Sequence, residues 1–221
     1  MTNVTIVIPV YNSKGFLELT IDSLFKSTDY PFKIILVESE STDGSDKICD
    51  EYAKRENIKV IHTKREGTTK ANNIGIKSAG TDDVLLTQTD VIFPRIYKRD
   101  WLKEMNELGE NAKAGIITCY GGGGVSGPDY LDGFNWVGTW CMYIPRTTIN
   151  KVGILDEDFS PGAGDDIDYS YKVSMANLQI GMINYWVDHH RLLEEHKYEI
   201  EYYGKYFHTH AKLFKKKWQL N

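Results

Sequence analysis

Short apolar runs and helix-spaced apolar positions alternate along this chain. Val4-Thr5-Ile6-Val7-Ile8 is a continuous β-branched run, the pattern of a strand covered on both faces. Pro9-Val10-Tyr11-Asn12-Ser13 breaks it, and Ser13 is expected to cap a helix with Leu17, Ile21, Leu24 and Phe25 on its apolar face. Ile34-Ile35-Leu36-Val37 predicts a second buried strand, ended by the polar stretch from Glu38 to Ser45. A helix carrying Ile48 and Tyr52 follows, then a strand from Ile58 to Ile61. Lys64 to Thr69 is a charged loop, leading into a helix through Ala71, Ile74 and Ala79 that Gly80 closes. Val84-Leu85-Leu86 opens a fourth strand, which turns polar at Thr87-Gln88-Thr89 and delivers Asp90 before Pro94 stops the run. Strands alternating with helices on short connections imply right-handed βαβ units and a mostly parallel sheet. In such sheets ligands bind outside the carboxyl ends of the strands, where Asp90 is expected. Taken alone, that residue could equally cap a turn.

Beyond Asp90 the pattern loosens. Trp101 to Leu108 suggests a short helix, Gly115 to Tyr120 a strand, Trp140 to Ile144 another strand and Thr147 to Val152 a short helix. Gly121 to Pro128 reads as a loop beside the site, not a phosphate cradle, because no helix start follows it. Asp165, Asp166 and Asp168 open a helix with Ile167, Tyr171 and Met175 on one side, and Ile180 to Val187 forms a last strand ending in Asp188-His189-His190. Without repeats or a low-complexity linker, 1–221 is expected to be one domain. Its parts are a nucleotide-binding half (1–95), an acceptor and catalytic half (96–190) and a helical tail (191–221).

Composition narrows the partners. Hydrophobic content of 41% and charged content of 26% suit a globular protein, and a net charge of −5 argues against nucleic acid. Cys49, Cys119 and Cys141 are widely spaced and odd in number, which reads as buried, reduced thiols of a cytosolic protein. No apolar run reaches spanning length, and a strand beginning at residue 4 leaves no room for a secretory leader, so a cytoplasmic location is expected. Lys212, Lys215, Lys216 and Lys217 make either a solvated helix face or a peripheral contact with an anionic membrane or lipid-linked acceptor.

Two clusters carry candidate chemistry. Three carboxylates within four positions exceed what a helix cap needs, and their mutual repulsion would ready one of them as a proton acceptor. His189 and His190 point to opposite faces of a strand, so only one can reach a given site. Beside Asp90, one imidazole, a nucleotide diphosphate and water would hold Mn²⁺ or Mg²⁺; zinc lacks a third close ligand.

Together these motifs resemble the family 2 glycosyltransferases, inverting enzymes of the GT-A fold that use nucleotide sugars. The family's opening strand with Pro-x-Tyr-Asn is similar to Val7-Ile8-Pro9-Val10-Tyr11-Asn12, and its Val-Asp-Asp-Gly-Ser signature to Val37-Glu38-Ser39-Glu40-Ser41-Thr42-Asp43-Gly44-Ser45. Lys70-Ala71-Asn72-Asn73-Ile74-Gly75 resembles the family's Asn-x-Gly helix start, and Gln88-Thr89-Asp90 occupies its DxD position. Gly153 to Phe159 and Gly164-Asp165-Asp166-Ile167-Asp168 resemble the acidic signatures, and Phe214-Lys215-Lys216-Lys217-Trp218 the family's Phe-x-x-Lys-Trp ending.

The resemblance implies a Rossmann-like α/β domain, a mostly parallel mixed sheet flanked by helices. It implies that Pro9, Tyr11, Glu38 and Ser39 hold a nucleoside, most often uridine, and that Lys70, Asn73 and Thr89 line the donor. Asp90 with His189 or His190 would bind the metal, Asp166 would deprotonate the acceptor, and Asp165, Trp136 and Trp140 would stand on the acceptor side. The implied partners are a nucleoside-diphosphate sugar and a glycan or lipid-linked acceptor. Two residues depart from the pattern: Gln88 stands where the first DxD acid usually sits, and Ser39 where an acid often reads uracil. A non-catalytic nucleotide-sugar or glycan-binding module, and a retaining transferase or nucleotidyltransferase, are the alternatives.

Overall fold

The computed structural model describes residues 3–96, 98–111, 114–120, 123–125, 134–189 and 197–220. A seven-stranded sheet forms its centre. Its strands are β1 (Val4–Val10), β2 (Phe32–Glu38), β3 (Ile58–His62), β4 (Asp83–Thr87), β6 (Ala114–Tyr120), β9 (Cys141–Ile144) and β10 (Gln179–Trp186), in the order β10-β6-β9-β4-β1-β2-β3. β1 pairs in parallel with β2 and β4, and β2 with β3. β9 alone runs against its neighbours β4 and β6, and β10 lies parallel to β6. Six strands therefore share one direction and one carboxyl edge.

Both sheet faces are covered, as the unbroken apolar runs require. Ile6, Ile8, Leu36 and Leu85 meet α1 (Leu17–Ser27), α2 (Ser45–Tyr52) and α4 (Trp101–Asn111) in one core. Val7, Val37, Val84 and Leu86 meet α3 (Thr68–Ser78), α5 (Arg146–Val152) and α6 (Asp165–Met175) in the other. Each fully buried aliphatic side chain here contributes roughly 1.5–3 kcal/mol relative to exposure. Close packing shows at Gly75, where an added Cβ would come within 2.1 Å of Val7 Cγ1. The last helix, α7 (Lys197–Trp218), sets Ala211 and Phe214 against Phe159 and Ile167 in a third, smaller core.

The first helix differs from expectation. It starts at Leu17 after Phe16, without a side-chain cap. Ser13 closes the preceding turn through its carbonyl oxygen, which accepts from Phe16 N and Leu17 N, while its hydroxyl donates to Tyr11 O. The glycine loop also holds more order than a loop: β7 (Gly123–Val125) pairs antiparallel with β8 (Asn135–Val137), while its other positions, 121, 122 and 126–128, lie outside the described residues.

Candidate active site

Two two-residue strands that no periodicity could announce assemble the first half of the site. β5 (Val91–Ile92) pairs antiparallel with β11 (Asp188–His189), matching Val91 with His189. This short ladder brings the end of the last long strand alongside the turn that carries Asp90. His189 Nε2 lies 3.3 Å from Asp90 Oδ2, and both side chains are largely buried. Trp140 stacks on the His189 ring at 4.6 Å between centroids and 26° between planes, and its own carbonyl accepts from Thr87 Oγ1 at 2.8 Å. Trp140 thus orients the imidazole. His190 lies outside the described residues.

Hydroxyls of the first helical unit fix the Asp90 turn. Thr89 Oγ1 donates to Ser13 Oγ at 2.9 Å, Thr20 Oγ1 donates to Thr89 O, and Phe93 N donates to Ser23 Oγ at 3.0 Å. Thr89, expected on the donor, is buried with its hydroxyl engaged inside the fold.

The loops after β1 and β2 are zipped together. Asn12 N donates to Ser41 Oγ, Thr42 N to Asn12 Oδ1, Ser13 N to Ser45 Oγ and Lys14 N to Asp43 Oδ2, all within 2.8–3.1 Å. Asn12 takes a left-handed φ of 45°, a conformation Asn tolerates better than most residues. Pro9 pairs with Val37 in the β1–β2 register, and Ser39 N donates to Val10 O, so this platform is rigid backbone. Tyr11 receives the Arg65 guanidinium over its ring at 3.8 Å and a hydrogen bond from Arg65 Nη1 at 2.7 Å.

Glu38 is already occupied. Its Oε1 accepts from Ser41 N at 2.6 Å, and its Oε2 lies 3.0 Å from His62 Nδ1. Burial alone would raise this carboxyl, but the hydrogen bonds from Ser41 and His62 outweigh it and hold the pKa below the usual range. The bond to Glu38 raises the His62 pKa. Asn73, also expected at the donor, is a strut: its amide donates to Leu155 O at 2.9 Å and accepts from Leu155 N at 3.1 Å. Its neighbour Asn72, to which the sequence gives no role, has a buried Oδ1 that finds no donor among the described residues. Both asparagines stand one turn from Thr69, at i+3 and i+4, and only the contacts of Asn73 with Leu155 tell the two apart. Lys70 pairs with Glu66 at 2.6 Å, which raises its pKa.

The second half of the site is the start of α6. Because α6 runs back across the sheet into β10, its first turn lies at the carboxyl edge, the same edge as Asp90. Its three acids have separate environments. Asp165 is buried and accepts from Thr69 Oγ1 at 3.0 Å, and burial pushes its carboxyl up. Asp166 is half-buried, its Oδ1 accepting from Ile167 N at 2.9 Å. Asp168 is fully buried, with Lys217 Nζ at 2.7 Å and Trp218 Nε1 at 2.8 Å. Lys217 is therefore not part of a solvated tail. Gly67, with φ of 95°, lets the start of α3 close on this region: a Cβ there would sit 2.3 Å from Pro161 Cα. Trp136 packs half-buried against the small third core, its indole N–H without an acceptor among the described residues.

Among the described residues no group of three His, Cys, Asp or Glu side chains is placed to hold a metal ion. Asp90 and His189 supply one hard oxygen and one imidazole nitrogen, a donor pair that suits Mn²⁺ or Mg²⁺ only if substrate oxygens and water fill the shell.

A sheet of this order, with a carboxylate and an imidazole meeting at its carboxyl edge, is the GT-A type of α/β fold. The family model described as Glycosyl transferase family 2 matches residues 5–161, and the chain belongs to that family. It is 36% identical over 118 residues to the uncharacterized glycosyltransferase EpsJ of Bacillus subtilis (strain 168), a match covering 52% of this chain and 33% of EpsJ. It is 30% identical over 95 residues to the poly(ribitol-phosphate) β-N-acetylglucosaminyltransferase TarS of Staphylococcus aureus, covering 41% of this chain and 16% of TarS. The chain thus spans a third or less of the length of these curated relatives. Among solved structures, the mannosyltransferase PcManGT of Pyrobaculum calidifontis with GDP-Man and Mn²⁺ superposes with a TM-score of 0.64 at 21% identity, over 82% of this chain and 54% of that one. S. aureus TarS 1-349 with UDP-GlcNAc gives 0.61 at 20% identity, over 82% and 56%. At such identities the likeness establishes the fold.

Proposed function

We propose that this chain is the catalytic domain of an inverting glycosyltransferase. It moves a sugar from a nucleoside-diphosphate donor, read as UDP-linked, to a hydroxyl of a glycan or lipid-linked acceptor. The observation that carries the reading is the 3.3 Å approach of His189 Nε2 to Asp90 Oδ2 at the end of β4. An ion on that pair would offset the negative charge that grows on the departing diphosphate. Stacking by Trp140 holds the imidazole ready for it.

The remaining work falls to the protein's own groups. Pro9, Tyr11 and Ser39 form the floor on which the nucleoside rests, with Arg65 steadying the Tyr11 ring. Lys70 exchanges Glu66 for the diphosphate, and Asn72, whose buried carbonyl oxygen finds no donor among the described residues, meets a donor hydroxyl in place of Asn73. Asp166 accepts the proton of the acceptor hydroxyl as that oxygen bonds to the anomeric carbon, and the bond from that carbon to the diphosphate oxygen breaks. Attack from the face opposite the leaving group inverts the centre. Since Glu38 is committed to Ser41 and His62, recognition of the uracil imide falls to the neighbourhood of Ser39. TarS has been solved with UDP-GlcNAc and PcManGT with GDP-Man, so both bases belong in the assay.

Thermal-shift titration with UDP and GDP sugars, with and without Mn²⁺, identifies the donor, since a ligand of the folded state raises the melting temperature. NMR of the product's anomeric proton then reads the stereochemistry. Retention at the anomeric carbon would sink the inverting mechanism. A donor that binds without transfer or hydrolysis would mark a binding module instead.

A further inference from the structure

We infer that Lys217 and Trp218, at the end of α7, are positioning residues that hold the segment carrying the candidate base Asp166 in its working conformation; the catalytic half of this inference rests on the function proposed above. One ammonium group grips this segment at both ends. Lys217 Nζ lies 2.7 Å from Asp156 Oδ2 and 2.7 Å from Asp168 Oδ2, acids that stand on either side of the loop and first helical turn containing Asp166. Trp218 Nε1 completes Asp168 from the other oxygen at 2.8 Å. Between the two anchors, His210 Nδ1 lies 2.9 Å from the carbonyl oxygen of Ala163, a residue with φ of 72°, and the His210 ring meets Phe159 edge to face at 5.5 Å. All these ties come from one helix far along the chain.

The chemistry of the contacts says why the ties are firm. Asp168 is buried without exposure, so its charge depends on the groups around it: Lys217, the indole N–H, and Lys172, whose own ammonium donates to Ile154 O at 2.9 Å. Removing one partner of a buried ion pair strands the other, which is far costlier than losing an exposed pair. The segment 156–168, between α5 and the first turn of α6, therefore cannot shift without uncoupling α7. Asp166 lies two residues before Asp168 on the same turn, and a displacement of about 1 Å in a reacting group lowers turnover roughly 10²-fold. The C-terminal Lys-Trp pair thus acts on the reaction without touching substrate.

The test compares Lys217→Met, Lys217→Arg, Trp218→Phe and, as a control, Lys216→Met, whose side chain lies on the outer face of the helix. Hydrogen exchange followed by mass spectrometry on the peptide spanning 156–168 needs no donor sugar. Lys217→Met should exchange there at least tenfold faster while the β1 and β4 peptides stay as in the parent chain. With the donor found above, Lys217→Met should lower kcat at least tenfold and leave the donor KM within twofold. Lys217→Arg should recover most of the loss, and Lys216→Met should change neither reading. If Lys217→Met does not fold, Trp218→Phe, which deletes one hydrogen-bond donor, should show the same pattern at three- to tenfold. Unchanged exchange in the 156–168 peptide overturns the inference, and so does faster exchange with full kcat. An Asp166→Asn variant with undiminished turnover would remove the base and not the clasp, because the exchange result stands without it.

Discussion

The two halves of the site hold their carboxylates in opposite ways. Asp90 sits at a strand end in a turn fixed by neutral hydroxyls, and the side chain it meets is an imidazole, a ligand type that a cation can share. The α6 acids are parcelled out: Asp165 to a threonine hydroxyl, Asp168 to an ammonium and an indole, Asp166 to the N–H of its own helix. A cation can share the Asp90–His189 pair, whereas a single proton acceptor works best when its neighbours are already satisfied. Under the proposed function, the contrast fits different work for two groups of the same residue type at one sheet edge.

Four changes would break or sharpen that contrast. Asp166→Asn should cost the most, about 10²–10⁴-fold in turnover, with nucleotide-sugar affinity retained in calorimetry. Asp90→Asn should lower turnover about 10²–10³-fold and, unlike the first variant, abolish the Mn²⁺-dependent part of the thermal shift. If both variants lost metal response equally, the division of labour would be wrong. Thr69→Val takes a hydroxyl donor from buried Asp165 and should destabilise the fold by about 1–3 kcal/mol in denaturant melts, with donor affinity intact.

The smallest effect concerns pH. The raised folded pKa of His62 means its bond to Glu38 stabilises fully below the unfolded value near 6.5, and this stability fades as pH rises through the higher folded value. Glu38 acts in reverse: its pKa is lowered, so its share is lost as pH falls through the folded value. His62 is half-exposed, so solvent screening limits the gain to about 0.5 kcal/mol. His62→Gln should flatten the melting temperature against pH from neutrality downwards; an unaltered profile would show that the pair adds nothing.

The sheet was legible because its strands are buried on both faces: Val4–Ile8 and Val84–Leu86 announce themselves by apolar runs alone. β1 nonetheless continues through Pro9, expected to break it, and Val10, which pair with Val37 and Glu38. The acid-rich start of α6 was equally readable, since Gly164 and three aspartates mark a helix beginning. What escaped the chain's pattern depends on distant partners. Ser13 looks like a cap, but the turn from Ser13 to Phe16 postpones the helix. Two-residue strands such as Val91–Ile92 have no period to detect, so the meeting of Asp90 and His189 waited on tertiary structure. Asn72 and Asn73 are the same letter, and only the loop at Leu155 decides which one is spent. Lys217 reads as one lysine in a basic run until the acids 49 and 61 positions earlier close on it.

The antiparallel β9 has a consequence for how the chain comes into being. It lies between β4 and β6, both made earlier, so during synthesis the growing sheet presents the open flank of β4 until residue 144 has left the ribosome. That flank is Val-Leu-Leu, an apolar template for a wrong strand. Slow translation or a weakened β9 would therefore show first as aggregation of nascent chains, well before any loss in the stability of the finished protein.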